Sequence, residues 1–202
     1  MATIIPFTIT IAGGTASGKS TLAKMLREHF GSQATALCLD SYYHDQVNRP
    51  MSERVKTNYD HPDSIDFTLL KEHLTALKAG KSAVIPVYDF TQHTRNLEKT
   101  ETLASTPIII LEGILSLWHP ELRRLSNLKI FVETPPEVRF ERRLERDIRE
   151  RGRTPACVAL QWKETVEPMF QHLCAPTALF ADLVVDGSKP LVETFNYIMK
   201  KL

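Results

Sequence analysis

The most explicit chemistry in this 202-residue chain lies in one eight-residue run, Gly13-Gly14-Thr15-Ala16-Ser17-Gly18-Lys19-Ser20, which matches G-x-x-x-x-G-K-[ST]. The glycines let the backbone turn so that successive N–H groups converge on phosphate oxygens. Lys19 reaches toward β- and γ-phosphates, and Ser20, followed by Thr21, offers a hydroxyl to Mg²⁺. The motif needs an apolar strand before it and an amphipathic helix after it, and the flanking residues supply both. The bland alternative is a turn that merely joins strand to helix. Given residue frequencies, a chance match arises in about one sequence of this length in a hundred, before the flanks are required.

Such a loop calls for a second anchor for Mg²⁺, commonly a carboxylate at the end of a neighbouring apolar strand. Glu112, closing Ile108-Ile109-Ile110-Leu111, is the candidate. An acid there also serves as a solvated strand end, so its meaning comes from pairing with the loop. Asp40 ends another apolar run, beside the expected position of a γ-phosphate, where a carboxylate can orient an acceptor hydroxyl and take its proton. From Arg139 to Arg153 the chain carries seven arginines. Arg139, Arg143 and Arg146 recur at i, i+4 and i+7, which makes one guanidinium-rich helical face able to clamp phosphates. The alternative is a solvated helix whose charge is balanced by Glu141, Glu145 and Glu150. Asn58 to Asp63 and Val87 to His93 mix aromatics, carboxylates and histidines. Such segments can stack on a base and accept ribose hydroxyls, although tyrosine and phenylalanine more often pack cores.

These residues need strands to end on. Phe7–Ala12, Ala34–Leu39, Pro107–Leu111, Leu128–Val132 and Asp182–Val185 are apolar or β-branched almost throughout, as strands buried on both faces of a parallel sheet are. Helical patterns cover Ser20–Phe30, Phe67–Leu77, Pro136–Arg151 and Pro155–Leu173, and a last one ends near Leu202. The alternation predicts an α/β domain whose ligands gather at the carboxyl ends of the strands. Lys81 to Leu103 breaks the rhythm and reads as a hairpin excursion, with strands Ala83–Val87 and Lys99–Leu103 joined by the polar segment Asp89 to Glu98. The chain is expected to form one domain, 1–202, with the hairpin at about 81–103 and an arginine-rich lid at about 139–155.

Charged residues make up 24% and hydrophobic ones 43%, and the formal net charge is +1. That balance predicts neither a nucleic-acid nor a membrane partner. Three cysteines without a C-x-x-C pair suggest a reducing compartment, and the lack of a signal-like N-terminus points to a cytoplasmic protein. Histidine spacing gives no metal site.

Taken together, Gly13 to Ser20, Asp40-Ser41-Tyr42-Tyr43, Tyr59-Asp60-His61-Pro62-Asp63, Pro86-Val87-Tyr88-Asp89-Phe90, Leu111-Glu112-Gly113-Ile114-Leu115 and Glu150-Arg151-Gly152-Arg153 resemble the uridine kinase (uridine-cytidine kinase) family from Phe7 to about Val185. The resemblance implies a three-layer P-loop NTPase fold with a five-stranded parallel sheet and a β-hairpin arm. It implies a donor, ATP or GTP, with Mg²⁺ at Ser20, Glu112 and Asp40, and Asp40 as catalytic base assisted by Lys19 and Arg146. Arg146 and Arg151 would lie near the phosphates. Asp60, Arg143 and Arg153 would hold the ribose and Tyr88 and His93 the pyrimidine edge, with Tyr59, Phe90 and Gln161 completing the pocket. A homotetramer inhibited by pyrimidine triphosphates is implied as well. Two departures stand out: Asp186-Gly187-Ser188 replaces the usual Pro-Arg-Gly after the last strand, and Thr154-Pro155-Ala156 replaces an acidic turn. Other readings are a related kinase for a different small alcohol, such as a sugar phosphate or pantothenate, and a regulatory module that binds nucleotide without transferring phosphate.

Overall fold

The computed structural model describes residues 5–202. In chain order the elements are β1 (Phe7–Gly13), α1 (Lys19–Phe30), β2 (Ala34–Cys38), α2 (Met51–Arg54), α3 (Phe67–Lys78), β3 (Ala83–Asp89), β4 (Thr94–Leu103), β5 (Ile108–Glu112), α4 (Pro120–Leu125), β6 (Leu128–Glu133), α5 (Pro136–Arg151), α6 (Pro155–Gln161), α7 (Glu167–Met169), β7 (Leu183–Asp186) and α8 (Leu191–Met199). Five strands form one parallel sheet in the order β2-β5-β1-β6-β7. β3 and β4 pair antiparallel as a separate two-stranded arm.

The apolar runs make a three-layer core because alternate side chains leave opposite faces of the sheet. Ile9, Ile11 and Ile110 point to one side, where Leu22, Ala23 and Leu26 of α1 and Ile198 of α8 cover them. Ala12, Ile109 and Leu111 point to the other, against Leu70, Leu74 and Leu77 of α3, Leu122 of α4 and Ile85 of the arm. Each fully buried leucine contributes about 1.5–3 kcal/mol of transfer free energy. Register then aligns the ends that matter: Glu112 lies opposite Ile11 of β1 and Cys38 of β2. The loop after β1, the acid ending β5 and the turn after β2 therefore open on one edge of the sheet.

Three local expectations change. The arm's strands are longer than alternation suggests, and only Phe90 to His93 form the turn. Asp89 closes that turn by accepting from Thr91 N (2.8 Å), Thr91 Oγ1 (2.6 Å) and Gln92 N (3.1 Å), so a polar stretch that reads as a connector is strand and tight turn. The helix expected over Pro155–Leu173 is broken into α6 and α7 by wider π-helical turns at Trp162–Val166 and Phe170–Cys174. Pro168 supplies the reason, since it lacks an N–H and its ring crowds the carbonyl four residues back. The last helix stops at Met199. Among the described residues no helix is long and apolar enough to cross a membrane.

Candidate active site

The loop between β1 and α1 is shaped by residues in unusual backbone conformations. Gly13 has φ +150° and Gly18, the N-cap of α1, has φ +99°. A Cβ on Gly13 would meet Val132 O at 2.6 Å, so the loop hugs the end of β6. Ala16 is left-handed as well, at φ 58°. Ser17 N donates to Gly14 O at 3.1 Å, which draws the turn tight, and the Ser17 hydroxyl is buried with no partner. Lys19 is only 8% exposed, and its ammonium has a single long contact, 3.4 Å to Gly14 O. A buried cation with one long hydrogen bond can take up an anion directly. Beside it lies a cavity of about 310 Å³ whose wall includes Ala16, Gly18, Lys19, Ser20, Thr21 and Arg146.

Ser20 Oγ donates to Glu112 Oε2 at 3.1 Å, and Cys38 Sγ donates to Oε1 at 3.0 Å. Burial pushes the Glu112 carboxyl above its ordinary pKa; Lys19 opposes this and Asp40 adds to it. Among the described residues no three His, Cys, Asp or Glu side chains group as a metal site. A hydroxyl next to one carboxylate nonetheless fits Mg²⁺, which keeps several waters and takes substrate phosphates as its other ligands.

Asp40 sits half-buried in the single helical turn Leu39–Tyr42 that follows β2. Its charge raises the pKa values of both Asp60 and Glu112, so the three carboxyls share one space. Asp60 is half-exposed as a residue, yet its carboxyl is packed in protein, and burial pushes it up against the opposing pull of Arg143, Lys19 and Arg153. Arg143 Nη1 and Arg146 Nη2 donate to Thr15 Oγ1 at 3.1 and 3.4 Å, which brings α5 onto the phosphate loop. Gln161 Oε1 accepts from Arg143 (3.2 Å) and Arg153 (3.1 Å) and so ties those two arginines together.

Aromatic rings cluster at the root of the arm. Tyr59 packs against Tyr43 at 5.1 Å and His93 at 5.5 Å, and Tyr88 against Tyr43 at 5.2 Å and Phe90 at 5.3 Å. The Tyr88 hydroxyl is buried and unpartnered. His93 is left-handed at φ 52°, and burial together with Arg153, Arg151 and Arg54 lowers its pKa. The Arg151 guanidinium stands 4.6 Å over the Phe90 ring, linking the end of α5 to the arm.

Arg139 departs from the face expected of it. It is fully buried, donates to Glu167 Oε2 at 2.8 Å and Thr134 O at 3.0 Å, and lies 3.8 Å from the Phe170 ring centroid. It braces α5 against the π-helical segment beneath Gly14, while Arg143 and Arg146 reach the loop. The alternative of charge balance along the helix holds in part: Glu145 and Glu150 pair with the exposed Arg149, while Asp147 pairs with Arg143, Arg146, Arg151 and Arg153. Sequence reasoning missed Asp147, Arg142, whose Nη1 donates to Gly187 O at 2.8 Å, and Gln46, whose Nε2 donates to Tyr59 OH at 2.6 Å. None carries a motif signal, although the Arg-Asp step at 146–147 inside a basic helix was a visible hint.

A phosphate loop at the end of a central parallel strand and an acid closing the neighbouring strand, hydrogen-bonded to the loop serine, define a P-loop kinase fold. A family model described as "Phosphoribulokinase / Uridine kinase family" matches residues 8–192, and the chain belongs to that family. A uridine kinase of Shewanella amazonensis is 46% identical over 192 residues, covering 92% of this chain and 90% of that protein. One of Shewanella baltica is 47% identical over 194 residues with the same coverages. Among solved structures, phosphoribulokinase from Rhodobacter spheroides superposes with TM-score 0.64 at 16% identity, over 93% of this chain and 74% of that one. D-glycerate 3-kinase from Cryptococcus neoformans gives TM-score 0.63 at 14% identity, over 92% and 87%. At such identities these two speak for the fold alone.

Proposed function

We propose that the protein is a uridine/cytidine kinase, transferring the γ-phosphoryl group of ATP or GTP to the nucleoside 5′-hydroxyl to give UMP or CMP in pyrimidine salvage. The observation that carries the reading is the phosphate loop itself: Lys19 is buried in it, Ser20 Oγ donates to Glu112 at 3.1 Å, and Arg143 and Arg146 donate to its Thr15 hydroxyl at 3.1 and 3.4 Å. The high identity to uridine kinases over nearly the whole chain supports it.

In this reading the loop amides, Lys19 and the hydroxyls of Ser20 and Thr21 hold the donor's phosphates, with Arg146 and Arg151 facing the γ-group. Asp60, Arg143 and Arg153 hold the ribose, and Tyr59, Tyr88, Phe90, His93 and Gln161 shape the base pocket. The 5′-oxygen forms a bond to the γ-phosphorus as the bond to the β-bridging oxygen breaks, and its proton passes to the Asp40 carboxylate. Lys19 and the arginines spread the charge on the equatorial oxygens, and most of the rate comes from positioning in a water-poor site. Mg²⁺, held by Ser20 and Glu112 with Asp40 nearby, would supply charge neutralisation on the phosphates.

The same reading includes a cytoplasmic homotetramer inhibited by pyrimidine triphosphates; exposed Val84 and Leu97 on the arm are apolar surface available for assembly. A coupled kinase assay with uridine, cytidine, deoxynucleosides, purine nucleosides and sugar phosphates as acceptors tests the proposal. Turnover on the two pyrimidine ribonucleosides should dominate. Phosphorylation of a non-nucleoside alcohol alone, or ATP binding with no acceptor, would reject it.

A further inference from the structure

Asp147 lies on α5 one turn after Arg143, and its side chain is completely removed from solvent. A lone buried carboxylate is strongly unfavourable, and this one is compensated by guanidinium groups from four residues. Its Oδ1 accepts from Arg146 Nε at 2.9 Å and Nη2 at 2.8 Å and lies 3.7 Å from Arg151 Nη1. Its Oδ2 accepts from Arg153 Nη1 at 2.8 Å and lies 3.5 Å from Arg143 Nε. For each of these four arginines, Asp147 is the only acidic partner among the described residues. The residue also fixes the end of its helix, because its carbonyl accepts from the backbone N–H groups of Gly152 and Arg153.

The division of labour between the two oxygens matters. Oδ1 serves the pair assigned above to the donor phosphates, Arg146 and Arg151. Oδ2 serves the pair assigned to the acceptor sugar, Arg143 and Arg153. One carboxylate does not offset four guanidinium groups, and a bound triphosphate would meet positive charge that remains. Anything that draws Arg146 and Arg151 toward an anion changes their hold on a carboxylate that Arg143 and Arg153 also use.

We propose that Asp147 is a positioning residue that couples the donor and acceptor sites, so that occupancy of one orders the guanidinium groups serving the other. The inference rests on the nucleoside-kinase reading and adds a thermodynamic property to it. Coupling of this kind is reciprocal: if a donor analogue tightens nucleoside binding by some factor, the nucleoside tightens the analogue by the same factor.

The test is calorimetric titration of uridine with and without a non-hydrolysable ATP analogue, and of the analogue with and without uridine. It is run on the wild-type chain, Asp147→Asn and Asp147→Glu. In the wild type each ligand should tighten the other about tenfold. In Asp147→Asn, which keeps shape and loses charge, the factor should fall to within about twofold of unity, while the analogue alone still binds through the phosphate loop. Asp147→Glu, which keeps the charge, should recover part of the coupling. A folded Asn variant with wild-type coupling overturns the proposal, as does a wild type in which neither ligand affects the other.

If the Asn variant does not fold, Arg146→Gln and Arg153→Gln decide, since the Asp147 carboxylate is the one side chain that both arginines bind directly. Their effects on uridine affinity in the presence of the analogue should be non-additive, and additive effects overturn the inference. A wild-type chain that binds the analogue but neither binds nor phosphorylates uridine overturns the substrate reading and this inference with it. Turnover on uridine with coupling intact in Asp147→Asn overturns the inference alone.

Discussion

At position 40 a half-buried carboxylate lies close enough to Asp60 and Glu112 to raise the pKa of each. In the proposed role it takes the acceptor's proton, so Asp40→Asn, nearly the same shape, should separate chemistry from binding. Nucleotide affinity is expected to stay within about threefold and kcat to fall by about a hundredfold or more, read by fluorescent-nucleotide titration and steady-state kinetics. Unchanged turnover would remove Asp40 from the reaction. His93 supplies a pH prediction. Burial first, then Arg153, Arg151 and Arg54, hold its pKa below the ordinary histidine value of about 6.5, with Asp89 opposing. It is therefore neutral at pH 7, and the nucleoside KM should be flat from about pH 7 to 8. As pH falls through the lowered folded-state value, protonation adds a cation beside Arg54, Arg151 and Arg153, and in the proposed role of His93 at the base the KM should rise. Because the unfolded chain binds this proton more tightly, the histidine's contribution to stability is complete above the ordinary value and is lost as pH falls from there through the lowered folded-state value. A KM profile unchanged in His93→Gln would show that another group titrates.

Elements hold these residues by close backbone approach. Gly187, in the turn after β7, sits against the phosphate loop: a Cβ there would lie 2.3 Å from Thr134 Oγ1 and 2.4 Å from Ser17 O. The turn that departs from Pro-Arg-Gly thus supports the loop from behind, and Arg142 closes the contact through Gly187 O. Gly187→Ala should push Ser17 out of place and raise the ATP KM by about tenfold, leaving the nucleoside KM within about twofold. Equal effects on both substrates would point to general unfolding instead. Gly113 plays a similar part after β5, where a Cβ would come within 2.2 Å of Leu39 Cβ, backbone-proximal and unable to swing aside. Gly113→Ala is expected to cost about 2 kcal/mol or more by overpacking, seen as a lower denaturant midpoint at unchanged slope.

Across the whole molecule, the phosphate loop is gripped from two sides, by the sheet through Gly13 and by α5 and the π-helical segment through Arg139. The Arg139–Glu167 pair joins residues 28 apart in sequence, with the guanidinium fully buried and set against Phe170. Glu167 keeps a bond from Gln171 Nε2 (2.7 Å), so the loss falls on Arg139's packing against Phe170 and its bonds to Thr134 and Glu167, and Arg139→Met should destabilise the domain by about 3 kcal/mol at most. For a chain of this size that lowers Tm by roughly 6–12 °C by calorimetry. Partial exposure of Glu167, at 22% of its side chain, tends toward the smaller figure. A Tm within about 1 °C of wild type would mean that α5 is held by its other contacts.

Local chemistry settled a large part of this protein before any tertiary contact existed. The spacing of Gly13 to Ser20 dictates a phosphate loop wherever a strand precedes it and a helix follows. Unbroken apolar runs such as Ile108 to Leu111 can be stable only when buried on both faces, which commits the chain to a covered parallel sheet with Asp40 and Glu112 at strand ends. What periodicity could not tell was which arginine does which work. Arg139 and Arg143 are four residues apart on one face, yet one is walled in by Phe170 and Glu167 and the other opens on Thr15 and Gln161. Nor could it single out Asp147 among the acids of α5, or show that Asp89 folds a polar stretch into a tight turn. Those outcomes depend on burial and on partners from distant segments, and the free energy of a charge is set by what surrounds it in three dimensions.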